Sequence, residues 1–137
     1  WNARNGELHK LIDNIPVLTF AAVFSPDGGL LATAGVDRNI YLWNARSWKL
    51  ERTITGQPEL ISALDFSADG KRIATGGFND IAESHPVKVM VWDAATGRRV
   101  HELQAPRAVS TVAFSPDGTQ LAAASRGKLI HIWQLAE

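Results

Sequence analysis

The chain has 137 residues, 45% of them apolar, with 14 basic and 14 acidic side chains that leave a formal net charge of zero. That is one domain of ordinary size with enough apolar content for a core, and without an overall field that would draw in nucleic acid or an anionic membrane. The lack of cysteine removes disulfides, thiolate nucleophiles and thiolate metal sites without fixing a compartment, and no apolar run reaches the roughly 18 residues that span a bilayer.

The chain opens at Trp1 and has its single methionine at Met90, which reads as a segment excised or processed from something longer. Residues 7–12 read as a first strand, with His9 solvated on its edge. The next run, 18–25, leads into the phrase "FSPDG" at 24–28, which returns as "FSADG" at 66–70 and as "FSPDG" at 114–118. The phenylalanines are 42 and 48 residues apart, and Trp1, Trp43, Trp92 and Trp133 keep step at 42, 49 and 41. Such a period marks a repeat architecture before any single motif is weighed.

Within the first copy the remaining strands are expected at 30–36, 39–45 and 49–54. Each run is short and β-rich, and none has the length or 3.6-residue period of a helix, so the fold class is all-β. The phrase itself is turn chemistry. Proline presets φ at the second position, aspartate tolerates the third, and Gly28, Gly70 and Gly118 supply the left-handed conformation that starts a hairpin's return strand. Ala68 in place of proline costs little. Copy two, 57–104, is longer by seven residues because "FNDIAESHP" at 78–86 extends the stretch before Trp92. Copy three is 105–137.

The period, the hairpin phrase, the strands ending "YLWN", "VMVWD" and "IHIWQ", and "WDAATG" at 92–97 together resemble the WD-repeat (WD40) β-propeller family. The resemblance covers the whole chain. It implies four-stranded antiparallel blades around a channel, with blade one at about 13–54, blade two at about 57–104 and blade three at about 105–137. It also implies a polar set in each blade: a histidine before the innermost strand, Ser or Thr in the second, Asp in the next turn, and the Trp. Copy one matches at Thr33, Asp37 and Trp43. Copy two keeps Thr75 and Trp92, has Asn79 or Asp80 near the aspartate position, and shows "GQPEL" where Gly-His is expected. Copy three keeps only Trp133, with Ala123 and Gly127 in the other places. Blades so depleted are expected to rely on apolar packing.

In the family's arrangement the strand after each Trp is the outermost of the same blade. Residues 7–12 then belong to a preceding or partner blade, and blade three lacks its own outer strand. Three blades do not close a ring of four to eight. Further blades are expected from the same longer chain or from a second copy placed head-to-tail.

No constellation of residues argues for catalysis, a cofactor or a metal. His101-Glu102 begins like a zinc-protease helix motif, but no second histidine follows at the needed spacing. His131 alternates with Ile130 and Ile132 and is expected to pack or bond between blades. The basic pairs Lys71-Arg72 and Arg98-Arg99 read as solvated edges. The resemblance instead implies a noncatalytic platform binding a protein or peptide through its top-face loops. The insertion is the leading candidate there, with Phe78 as an anchor and Asp80, Glu83 and His85 as polar contacts, or else it is a tolerated extension. The loops 13–16, 57–60 and 105–108 add Gln57, Glu59 and Arg107 on the same face. Trp48 stands where Gly6 and Gly97 stand in the other copies, which places an aromatic on the bottom face as a binding spot or a lid. Two alternatives remain: a sensory or regulatory module of a larger signalling enzyme, and a propeller that binds a small ligand in its channel.

Overall fold

A computed structural model describes residues 3–13, 15, 17–79 and 85–136. Eleven strands are present among them, in three antiparallel sheets. Blade one is β1 (Thr19–Phe24), β2 (Leu30–Gly35), β3 (Ile40–Asn44) and β4 (Leu50–Ile54). Blade two is β5 (Leu60–Phe66), β6 (Arg72–Phe78), β7 (Val87–Asp93) and β8 (Arg99–Ala105). Blade three has only β9 (Val109–Phe114), β10 (Gln120–Ser125) and β11 (Leu129–Gln134). Each strand pairs with its neighbour in sequence, so every blade is a meander. The first strands β1, β5 and β9 lie side by side, as the inner wall of a propeller requires.

Residues 7–12 are the one expected strand that does not form. Among the described residues no strand pairs with them, and an unpaired strand has no hydrogen bonds to hold it extended. Trp1 lies outside the described residues.

The "FSPDG" phrase gives one turn three times, with φ of 72° at Gly28, 71° at Gly70 and 71° at Gly118. Its serine does more than fill a turn position. Ser25 Oγ donates to Asp27 Oδ1 (2.6 Å) and accepts the Leu30 N–H (2.9 Å). Ser67 and Ser115 repeat both bonds with Asp69 and Arg72, and with Asp117 and Gln120. These hydroxyls hold Asp27, Asp69 and Asp117 below the usual carboxylate range, Asp117 at about 2.

The core lies between blades. Ala32, Ala34, Ile40 and Leu42 of blade one meet Ile73, Met90 and Trp92 of blade two, and Ala74, Val89 and Val91 of blade two meet Val112, Leu121 and Ala123 of blade three. Polar bonds cross the second seam. Asp65 accepts the Phe114 N–H (2.7 Å) while burial raises its carboxyl. Arg72 Nη2 donates to the Gly118 carbonyl (2.7 Å) and its guanidinium lies over the Phe114 ring. Arg72 is therefore a clamp between blades, not a solvated edge charge.

The two end faces show what a blade looks like without its neighbour. The residues one and three before each Trp, Val91 and Val89 in blade two, are 0% exposed against blade three. Their counterparts Ile132 and Ile130 in blade three are 64% and 73% exposed. Likewise Phe66 is 6% exposed, whereas Phe24, on the opposite end face, is 55% exposed.

Candidate functional site

The hairpins β1–β2, β5–β6 and β9–β10 turn at one end of the blades. The chain enters the inner strands at the other end, the top, where β2–β3, β6–β7 and β10–β11 also connect. Antiparallel pairing fixes this division, and it places the 79–86 connection on the top.

The root of that connection is held by side chains acting as backbone. The β6–β7 ladder stops at Thr75↔Met90, one pair earlier than β2–β3, which runs on to Ala34↔Ile40. Beyond the stop, Lys88 has no partner on β6. Glu59 Oε1 accepts its N–H (3.2 Å) and Gln57 Nε2 donates to its carbonyl (3.2 Å). The amide of Gln57 also leans on Glu59 Oε2 (3.4 Å), and burial raises the Glu59 carboxyl above its ordinary value.

Gln57 has a second task. The Thr75 hydroxyl donates to Gln57 Oε1 (2.6 Å) and accepts from Trp92 Nε1 (3.0 Å), all three groups being buried. Gln57 thus fills the place expected for a histidine, since a primary amide also offers one acceptor and a donor. Two expectations change. Blade two joins three members of the expected polar set, Gln57, Thr75 and Trp92, and Gln57, only 5% exposed, is a structural group and not a surface contact. Glu59 is half-buried and already engaged.

In blade one the indole of Trp43 donates to Thr33 Oγ1 (3.0 Å). Asp37 does not join them. It accepts from the Tyr41 hydroxyl and from Asn39 within its own turn, and Tyr41 is raised by that carboxylate. In blade three His131 stays inside its own sheet, bonded to Ser125 Oγ (3.1 Å) and stacked on Trp133. Among the described residues no hydrogen bond from His131 to another blade is found, and its partner Ser125 lies on the adjacent strand of the same sheet.

Phe78 closes β6 at the top, half-buried, with its ring 6.0 Å from that of Phe20 on β1. His85 is exposed where the chain re-enters β7, and Arg107 is exposed beside Gly127. Asp80 and Glu83 lie outside the described residues. Phe20 was not anticipated from sequence, although its signal was there: the serines four residues before Phe66 and Phe114 are replaced by phenylalanine before Phe24.

At the bottom, Trp48 adopts φ 58°, beside 72° at Gly6 and 73° at Gly97. A bulky residue in this region is strained, by about 1 to 2 kcal/mol. Its side chain borders a cleft of about 590 Å³ with His9, Lys10, Ile12, Phe24 and Leu31. In blade two the same turn meets Arg52 and Ile54 of the preceding blade, and Arg52 Nη1 donates to the Thr96 carbonyl (3.2 Å). Lys10 and Ile12 stand 42 residues before that pair. So 7–12, though not a strand, runs past blade one where an outer strand of a preceding blade would run.

Among the described residues no group of three or more His, Asp or Glu side chains could hold a metal ion. The model of the WD domain, G-beta repeat family (WD40) matches at residues 8–44, 48–81 and 97–134. No curated protein matches the chain. Among solved structures, the β-propeller domain of Cps50 (Swd1) from Myceliophteria thermophila superposes with a TM-score of 0.75 at 22% identity. The match covers 87% of this chain and 36% of that propeller domain.

Proposed function

The chain belongs to the WD40 repeat family, and on that premise we propose that it is part of a noncatalytic interaction platform whose top-face loops hold a protein or peptide partner. The observation that carries this reading is the root of the 79–86 connection. Blade two ends its β6–β7 ladder early, and Gln57 and Glu59 rebuild the lost bonds from the neighbouring loop. A loop extended from a rigid, fully bonded base is where recognition is grafted onto a fold. Phe78 and His85 flank it, with Asp80, Glu83 and Arg107 as further contacts. Trp48 belongs to the opposite face and serves the seam with a preceding blade. The remaining blades come from a longer chain or from a second copy placed head-to-tail.

The test is capture of partners by the chain and by a Phe78→Ala/His85→Ala variant, compared by quantitative mass spectrometry. Proteins held by the parent and lost by the variant, with the far-ultraviolet spectrum unchanged, support the platform. An identical retained set from both removes the top loops from the proposal.

A further inference from the structure

All three inner strands carry a bulge at the same place near the top. The register slips around Phe20 in β1, Ser62 in β5 and Ser110 in β9. A bulge re-aims the side chain it carries. In blades two and three that side chain is a serine with a structural duty. Ser62 Oγ donates to the Val109 carbonyl (3.1 Å) and Ser110 Oγ to the Ala124 carbonyl (3.2 Å). In blade one it is a phenylalanine that can make no such bond. Phe20 is 45% exposed and lies against Phe78 of the next blade. The bulge therefore needs no aromatic, and the ring is surplus to the fold. Leu18, just before β1, is exposed as well.

Charge is distributed unevenly around it. Phe78 and Arg126 border one small cleft with Ser62, Val109 and Ser110, Arg107 lies against Gly127, and Lys128 follows in the same turn. Of the acids described at this end, Asp37 is engaged by Tyr41 and Asn39 and Glu59 by the Lys88 N–H, while Asp13 is exposed in the run that leads to β1 of blade one. Blade three's top edge thus sets cations beside an aromatic pair.

We infer that the Phe20–Phe78 pair and the cationic edge at Arg107, Arg126 and Lys128 form one docking site for an acidic peptide segment that carries an aromatic or aliphatic anchor. The anchor buries against the two rings, and carboxylates a few residues away face blade three. Aromatic anchors beside arginine are where binding energy concentrates, and complementary charge sets orientation and excludes basic segments. The inference rests on the platform reading and narrows it to a class of partner. A neutral chain does not favour nucleic acid at this site, and the test includes it as an outcome.

A displayed library of random peptides of about ten residues is selected on the chain, and enriched peptides are then titrated by fluorescence anisotropy. The expected binders combine a Phe, Leu or Trp with neighbouring Asp or Glu. They weaken by about tenfold on Phe20→Ser, which installs the residue the other blades use, and they lose their preference for acids on Arg107→Glu. Enriched peptides that are basic, or indifferent to both substitutions, overturn the inference. If those peptides still weaken on Phe78→Ala/His85→Ala, the platform stands without it; if they ignore that variant as well, both fall. Competition by a thymidine oligonucleotide at equal concentration also overturns it.

Discussion

The central polar contact of blade two yields a graded prediction. Replacing Thr75 by Val keeps the shape but removes a hydroxyl that serves two buried groups, the Trp92 indole N–H and the Gln57 carbonyl oxygen. A buried polar group left without a partner costs about 1 to 3 kcal/mol. Two such groups put Thr75→Val at about 2 to 6 kcal/mol, a large share of a stability of about 5 to 15 kcal/mol. In Thr33→Val the hydroxyl lost serves, among the described residues, the Trp43 indole alone, so the cost is about half as large. Urea unfolding followed by tryptophan fluorescence reads both, and at about 1 to 3 kcal/mol per molar urea the midpoints differ by roughly 1 M. Two further variants sharpen the result. Gln57→Leu combined with Thr75→Val costs less than the sum of the single changes, because the partners go together. Gln57→His retains a donor and an acceptor and stays near the parent. Equal costs for Thr75→Val and Thr33→Val, within about 0.5 kcal/mol, would refute the claim that Gln57 completes the network.

Three other outcomes follow from the same geometry. Ile130 and Ile132 occupy positions that are fully buried in blade two, and each gains about 1.5 to 3 kcal/mol on burial, so the chain alone associates on concentration in light scattering. Ile132→Lys abolishes that association, and an unchanged mass profile would count against the exposed face as its cause. Gly28→Ala costs about 1 to 2 kcal/mol from left-handed strain with no contact to make it worse, whereas Gly118→Ala also places its Cβ 2.6 Å from Arg72 Nη2 and costs more in thermal unfolding. Asp117 is held at about 2 by Ser115 and Thr119, below the ordinary 3.8. Its folded value is depressed, so its stabilisation is complete above about pH 4 and is lost as pH falls through about 2. Asp117→Asn should lower the urea midpoint near pH 6 and converge with the parent near pH 2; a constant gap across that range would refute it.

The blades were legible because their signals are local and repeated. Phrase, period and tryptophan spacing locate every strand that has its partners in the segment. The run at 7–12 mixes apolar and charged residues much as β4 and β8 do but lacks partners among the described residues, and a strand exists only through pairing that composition does not record. Gln57 escaped because the polar network was sought by residue name. The network requires an acceptor for the threonine hydroxyl, which an amide oxygen supplies as well as an imidazole does. Arg72 looked like an edge charge in sequence, and only the packing of blade two on blade three brings its guanidinium to Gly118 and Phe114.

A repeat protein supplies its own controls, because the same backbone position is filled three times under nearly the same constraints. Where the copies agree, as in the serine and aspartate of the hairpin, every blade shows the same bonds and the residue is accounted for by folding. Where they disagree, the fold has tolerated several answers and cannot be the reason for one of them. Phe20 against Ser62 and Ser110, Trp48 against Gly97, and the added residues after Phe78 are three such places. Two of the three belong to the top, where Phe20 meets Phe78, the residue from which the added stretch departs, and Gln57 and Glu59 bond the Lys88 backbone where the chain returns. The third sits at the bottom, where Trp48 borders the cleft that His9, Lys10 and Ile12 line. Two of the three departures therefore converge on the top of blades one and two, and recognition is expected there.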